Sequence, residues 1–163
     1  MLPLFKSHFS TGRSILTLNP PDKCVEGGPD SVFKLAKEND LKEVILVEDS
    51  FSGFLQARKN AKDLNLKLVF GLRFLMAEDI DEKLTRDNNN KHRIILFAKN
   101  DKGIKALYKM YNRAFAKGFG HLNYKFLKEA WDKNLKLAVP FYDSFLLSSS
   151  VSFFIFCKFN FRS

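Results

Sequence analysis

Twice between Glu43 and Lys117 the chain passes from a short unbroken apolar run into a stretch whose apolar residues recur at helical spacing. That alternation limits the fold more than any other feature. Val44 to Val47 is continuous apolar sequence, as expected of a strand covered on both faces. Phe54, Leu55, Ala57, Ala61 and Leu64 then supply one apolar stripe, predicting a helix over 51–64. Leu66 to Phe70 reads as the next strand. A further strand over Arg93 to Ala98 leads into a helix from about Asp101 to Lys117, with Ile104, Leu107, Tyr108, Tyr111 and Phe115 at helical spacing, and Gly118 stops it. Strands separated by helices imply parallel strands joined by right-handed crossovers, hence an α/β fold.

The flanks extend the pattern. A short opening strand lies near Leu2 to Phe5, and Asn19-Pro20-Pro21 and Gly27-Gly28-Pro29 mark a loop. Asp30 or Ser31 caps a helix ending near Asn39-Asp40. Residues 77–91 are polar and read as an exposed connection. A helix over 123–133 capped by Asn123, with Phe126, Leu127 and Trp131 on its buried face, precedes a fifth strand at Leu135 to Val139. His121 reads as a turn residue, and Phe119, Tyr124 and Trp131 as core. With 163 residues, 45% hydrophobic and 14% aromatic, the chain can bury one core. No apolar stretch is long enough for a membrane span and no cleavable leader is evident, so a cytoplasmic protein without membrane contact is expected. Cys24 and Cys157 are far apart and outside metal-binding spacing, which predicts free thiols. The 27 Lys and Arg exceed the 18 Asp and Glu by enough for a net charge of +9. Anionic partners are favoured, but most lysines fall on the polar faces of predicted helices.

The run His92-Arg93-Ile94-Ile95-Leu96-Phe97-Ala98-Lys99-Asn100-Asp101-Lys102-Gly103 resembles a strand-to-helix unit of the polymerase and histidinol phosphatase (PHP) domain that begins DNA polymerase III alpha subunits of bacteria and phages. Residues 43–73 match in the same order, as a strand ending in Glu48-Asp49, a helix, and a strand ending in Gly71-Leu72-Arg73. The resemblance implies an irregular β/α barrel, here incomplete, of parallel strands joined by helices over 1–146. Residues 147–163 break the pattern. Phe153, Phe154, Phe156, Phe159 and Phe161 crowd a segment with neither stripe nor alternation, and an aberrant apolar tail read out of frame is favoured over an edge strand that covers the open barrel.

The resemblance also implies chemistry. PHP domains hold divalent metals with His and carboxylate ligands, and the ions activate water for phosphoester hydrolysis. The first family motif, His-x-His followed by Ser or Thr, is matched by Lys6-Ser7-His8-Phe9-Ser10, so one ligand has become a lysine. The second, Asp-His, reads Glu48-Asp49. The third, a glutamate, reads Arg73. His92 matches a histidine that opens the fourth strand, although a histidine beside an apolar strand is more often structural. His8, Glu48, Asp49 and His92 thus remain as ligands, enough for one incomplete site holding at most a single manganese, zinc or magnesium ion, and no cofactor is the leading expectation. Lys6 and Arg73 are expected to replace metal charge by pairing with Glu48 and Asp49. The expected role is that of a polymerase III alpha-type PHP domain in DNA replication, structural or exonuclease-docking, with phosphoesterase activity lost and no polymerase palm. Its partners would be the remainder of a replicative polymerase or a proofreading exonuclease, with DNA contacted indirectly. A divalent-metal phosphoesterase or 3'-5' proofreading nuclease, and a free-standing scaffold or DNA-binding module, are the alternatives.

Overall fold

The computed structural model describes residues 4–7, 9, 16–77, 92–116 and 120–140. In chain order the elements are β1 (Leu4–Phe5), β2 (Leu16–Thr17), a 3-10 turn (Pro21–Lys23), β3 (Asp30–Ser31), α1 (Val32–Glu38), β4 (Glu43–Glu48), α2 (Phe54–Asp63), β5 (Lys67–Ala77), β6 (His92–Ala98), α3 (Asp101–Ala116), β7 (His121–Asn123), α4 (Tyr124–Glu129) and β8 (Leu135–Ala138). The main sheet has the order β1-β4-β5-β6-β8, with β7 also paired to β5, while β2 and β3 form a separate parallel pair.

The helix starts follow from local chemistry. Ser31 Oγ accepts from Phe33 N at 3.1 Å and Lys34 N at 3.2 Å, satisfying two amides left free in the first turn of α1. Asn123 Oδ1 does the same for Phe126 N at 2.8 Å at the start of α4. At α3, Asn100 Oδ1 accepts from Gly103 N at 3.0 Å. The side chain of Asn100 also donates from Nδ2 to Asn134 Oδ1 at 2.8 Å, tying the helix start to the turn before β8. A β-carbon on Gly103 would fall well inside van der Waals contact of the Asn134 carbonyl oxygen and press on Ala98. The Ala98-Lys99-Asn100 and Gly103 signature is therefore a capping and packing device.

β5 is the organising strand. It runs 11 residues, well past the stop at Phe70 expected from its apolar run. β4 pairs in parallel with its first half, from Glu43 opposite Lys67 to Glu48 opposite Leu72. β7 pairs in parallel with its last three residues, starting with His121 opposite Leu75. β6 occupies the other edge. Phe70, Leu72, Phe74 and Met76 alternate onto one buried face, under α2 and α3. Phe51, Phe54 and Phe70 pack there with ring centroids 4.8–5.8 Å apart.

Two expectations are corrected. The strands are not all parallel: β6 runs antiparallel to both β5 and β8. An antiparallel neighbour needs no crossover helix, and the polar 77–91 sequence offers no helical stripe. The expected incomplete barrel is not shown as such: among the described residues the sheet is open, with β1 and β8 at the two ends of its path. His121, read from sequence as a turn residue, is the first residue of β7 and is buried. Cys24 is a half-buried free thiol, whereas Cys157 and the 147–163 tail lie outside the described residues. No helix among the described residues is long and apolar enough to cross a membrane.

Gly103→Ala should destabilise the fold by about 1–3 kcal/mol in urea denaturation, because the added methyl displaces backbone. At an open helix site the same change would stabilise by up to ~1 kcal/mol, so the sign alone tests the packing.

Candidate functional site

Three neighbouring strands bring the expected residues together by register. Phe5 of β1 lies opposite Leu46 of β4, and Leu46 opposite Phe70 of β5. Parallel neighbours at one level point to one face, so Lys6 follows Val47 and Gly71 onto the face away from Phe70, and Asp49 and Arg73 come next on that same face. Glu48, one residue earlier, falls on the opposite, helix-covered face with Leu72. Sequence adjacency therefore separates the two carboxylates.

Lys6 and Arg73 both bind Asp49. Arg73 Nε donates to Oδ1 at 2.8 Å and its terminal nitrogen donates to Oδ2 at 2.9 Å, a two-pronged guanidinium pairing. Lys6 Nζ donates to the same Oδ2 at 2.9 Å. The three side chains are about one-quarter to one-third exposed, with Lys6 at 26%, Arg73 at 31% and Asp49 at 36%. Partial burial pushes the Asp49 carboxyl up, but the hydrogen bonds and charges of Lys6 and Arg73 outweigh it and hold the carboxyl below its ordinary 3.8.

Glu48 is fully buried, and its Oε1 accepts from Ser7 N at 2.9 Å. That bond fastens the end of β1 to the end of β4 where β1 has only two paired residues. The expected sharing of Lys6 and Arg73 by both carboxylates is thus realised at Asp49, while Glu48 serves the backbone from the other side of the sheet.

His92 stands elsewhere. It pairs opposite Met76, three residues beyond Arg73 along β5 and so roughly 10 Å away, and it shares the Met76 face. The antiparallel direction of β6 does bring it to the end of the sheet where β4 finishes. His8 lies outside the described residues. His121, which sequence reasoning passed over, lies opposite Leu75 on the Asp49 face, two residues beyond Arg73. Only the pairing of β7 with β5 reveals it, because a three-residue strand after a glycine carries no periodic signal.

A divalent ion needs carboxylate lone pairs that face no competing cation. Here three N–H donors occupy Asp49, and a dication coordinated by it would stand within about 4 Å of permanent charges, at a cost on the order of several kcal/mol even at an effective dielectric of ~20. Among the described residues no three His, Cys, Asp or Glu side chains gather to hold a metal. These residues, as they stand, do not fit the ion that the resemblance implies.

Replacing Arg73 by Met should cost about 1–2 kcal/mol in chemical denaturation, less than for a fully buried pair because water reaches the cluster. The Asp49 contribution is present above pH 3.8 and should be lost as pH falls through the lower folded-state value. Asp49→Asn should remove that component, so the stability difference between the two proteins narrows below about pH 4 in thermal melts at graded pH.

A family model for the PHP domain matches residues 26–153. The search of curated proteins gave no match. Among solved structures the chain is similar to a protein from Bifidobacterium adolescentis assigned as a metal-dependent phosphoesterase, at 16% identity and a TM-score of 0.31 over 63% of this chain. It spans about a third of that protein's length, at 33%. The family model covers most of the chain, including β4, β5 and β6 with Glu48, Asp49 and Arg73, and the chain belongs to the PHP domain family.

Proposed function

We propose that this PHP domain acts in DNA replication as part of, or beside, a polymerase III alpha-type protein, with a structural or exonuclease-docking role in which metal-dependent phosphoester hydrolysis has been given up. One observation carries the reading: the Asp49 carboxylate is hydrogen-bonded by both Lys6 and Arg73. In a metal-dependent site that carboxylate would be a ligand. Here its charge is already balanced by side chains that belong to the fold, so the strand ends hold together with no ion required. The likeness of Ala98-Lys99-Asn100 and Gly103 to the alpha-subunit unit supports the polymerase assignment. The capping and packing geometry at α3 gives a physical reason for that residue combination.

In this reading the cluster acts as a fixed clamp at the ends of β1, β4 and β5. It keeps the domain surface in one shape for a polymerase body or a proofreading exonuclease, whose contacts depend on preorganisation more than on chemistry.

Manganese or zinc should leave the melting temperature unchanged, and a chromogenic phosphodiester should not be turned over with manganese present. The purified domain should co-elute with a proofreading exonuclease encoded by the same genome. Lys6→His combined with Arg73→Glu replaces both cations with family-type ligands and should introduce a manganese-dependent rise in melting temperature, since an ion that binds only the folded state stabilises it. Manganese-dependent turnover by the unmodified protein, lost on replacing His8, would instead establish the phosphoesterase or nuclease alternative.

A further inference from the structure

A groove of about 540 Å³ lies at the end of the sheet opposite the Asp49 cluster. Lys42, Arg58, Lys62 and Lys67 line it above Leu66 and Leu68, four cations without one carboxylate. Three segments of chain converge there: the approach to β4 at Lys42, the last turn of α2 at Lys62, and the start of β5 at Lys67. The Lys67 amide donates to the Lys42 carbonyl oxygen at 3.0 Å, which fixes the beginnings of β4 and β5 side by side.

The charge is only partly balanced from outside the groove. Lys67 pairs with Glu43 at 3.1 Å and Arg58 with Asp101 at 3.0 Å, both at exposed positions where such pairs are weak and exchange readily. Lys42 and Lys62 form no ion pair among the described residues. The end of a helix would ordinarily present carbonyl oxygens that repel an anion. At α2 three of the last four are already taken: Leu64 N donates to Asn60 O at 3.1 Å, Asn65 N to Lys62 O at 3.1 Å, and Leu66 N to Ala61 O at 2.8 Å. Asn65 adopts φ 54° to make this closure. A basic rim thus surrounds a floor of half-buried Leu66 and Leu68.

We propose that this groove binds the phosphodiester backbone of single-stranded nucleic acid, with Lys42 and Lys62 contacting phosphates and the leucine floor receiving sugar or base surface. Repeated anions at fixed spacing suit cations presented by three separate chain segments, and an aliphatic floor within a concave groove is reached by a flexible strand more easily than by a stiff duplex. The inference is independent of whether the Asp49 cluster binds metal, because the two regions lie at opposite ends of β4 and β5.

Fluorescence anisotropy of a labelled oligothymidylate, titrated with the full chain at graded sodium chloride, tests it. Lys42→Ala with Lys62→Ala should weaken binding roughly ten-fold near physiological salt and reduce the logarithmic salt slope by about 1.4, the effect of two lost phosphate contacts on a single strand. Lys125→Ala with Lys128→Ala removes equal charge from exposed positions on α4, beyond the far end of β5, and should leave both quantities nearly unchanged. Equal losses in the two double variants would mean that bulk charge alone attracts the oligonucleotide and would overturn the site. No loss at Lys42 and Lys62 overturns it as well. Tighter binding to a duplex of the same length overturns the single-strand assignment. Unchanged melting temperatures in both variants separate lost contacts from lost folding.

Discussion

Everything in the main sheet is hung on β5. Its first half binds β4, its last three residues bind β7 on the same edge, and β6 takes the opposite edge. The strand can do this because Phe70, Leu72, Phe74 and Met76 alternate onto a buried face. That face alone makes a one-residue slip prohibitive, since it would expose every one of them and bury Arg73 against the helices. Register is therefore set by hydrophobic burial, and the electrostatics at the strand ends inherits it.

Asp49 and Glu48 illustrate the inheritance. Adjacent in sequence and alike in charge, they are sorted by the pleat to opposite sides of the sheet. Glu48 turns to the core side and is satisfied by Ser7 N–H, while Asp49 turns to the side where Lys6 and Arg73 already point. A buried carboxylate without a donor or cation is costly, so each position requires its own partner. The cluster balances the Asp49 charge with side chains that belong to the fold.

The basic groove at the other end of the same strands arises from a different cause. The beginnings of β4 and β5 and the close of α2 are turn regions, where lysines remain solvated and chain segments meet without a sheet edge between them. Burial therefore governs one end of β4 and β5, and solvent governs the other.

The apolar runs at Val44 to Val47 and Arg93 to Ala98, the stripes of α2 and α3, and the caps at Ser31 and Asn123 were all legible in the sequence, because each depends on neighbours within a few residues. Lys6 and Arg73 were legible as basic residues at acidic or histidine motif positions, a matter of local identity. The direction of β6, the length of β5, the strand at His121 and the open sheet were not, since pairing partners lie dozens of residues apart and no local period encodes them. Sequence by itself determined which residues are apolar, charged or capping, and so the α/β class. Tertiary structure alone decided that Asp49 and not Glu48 receives both cations, and that His92 faces away from them, because face and level along a sheet are fixed only when separate strands fall into register.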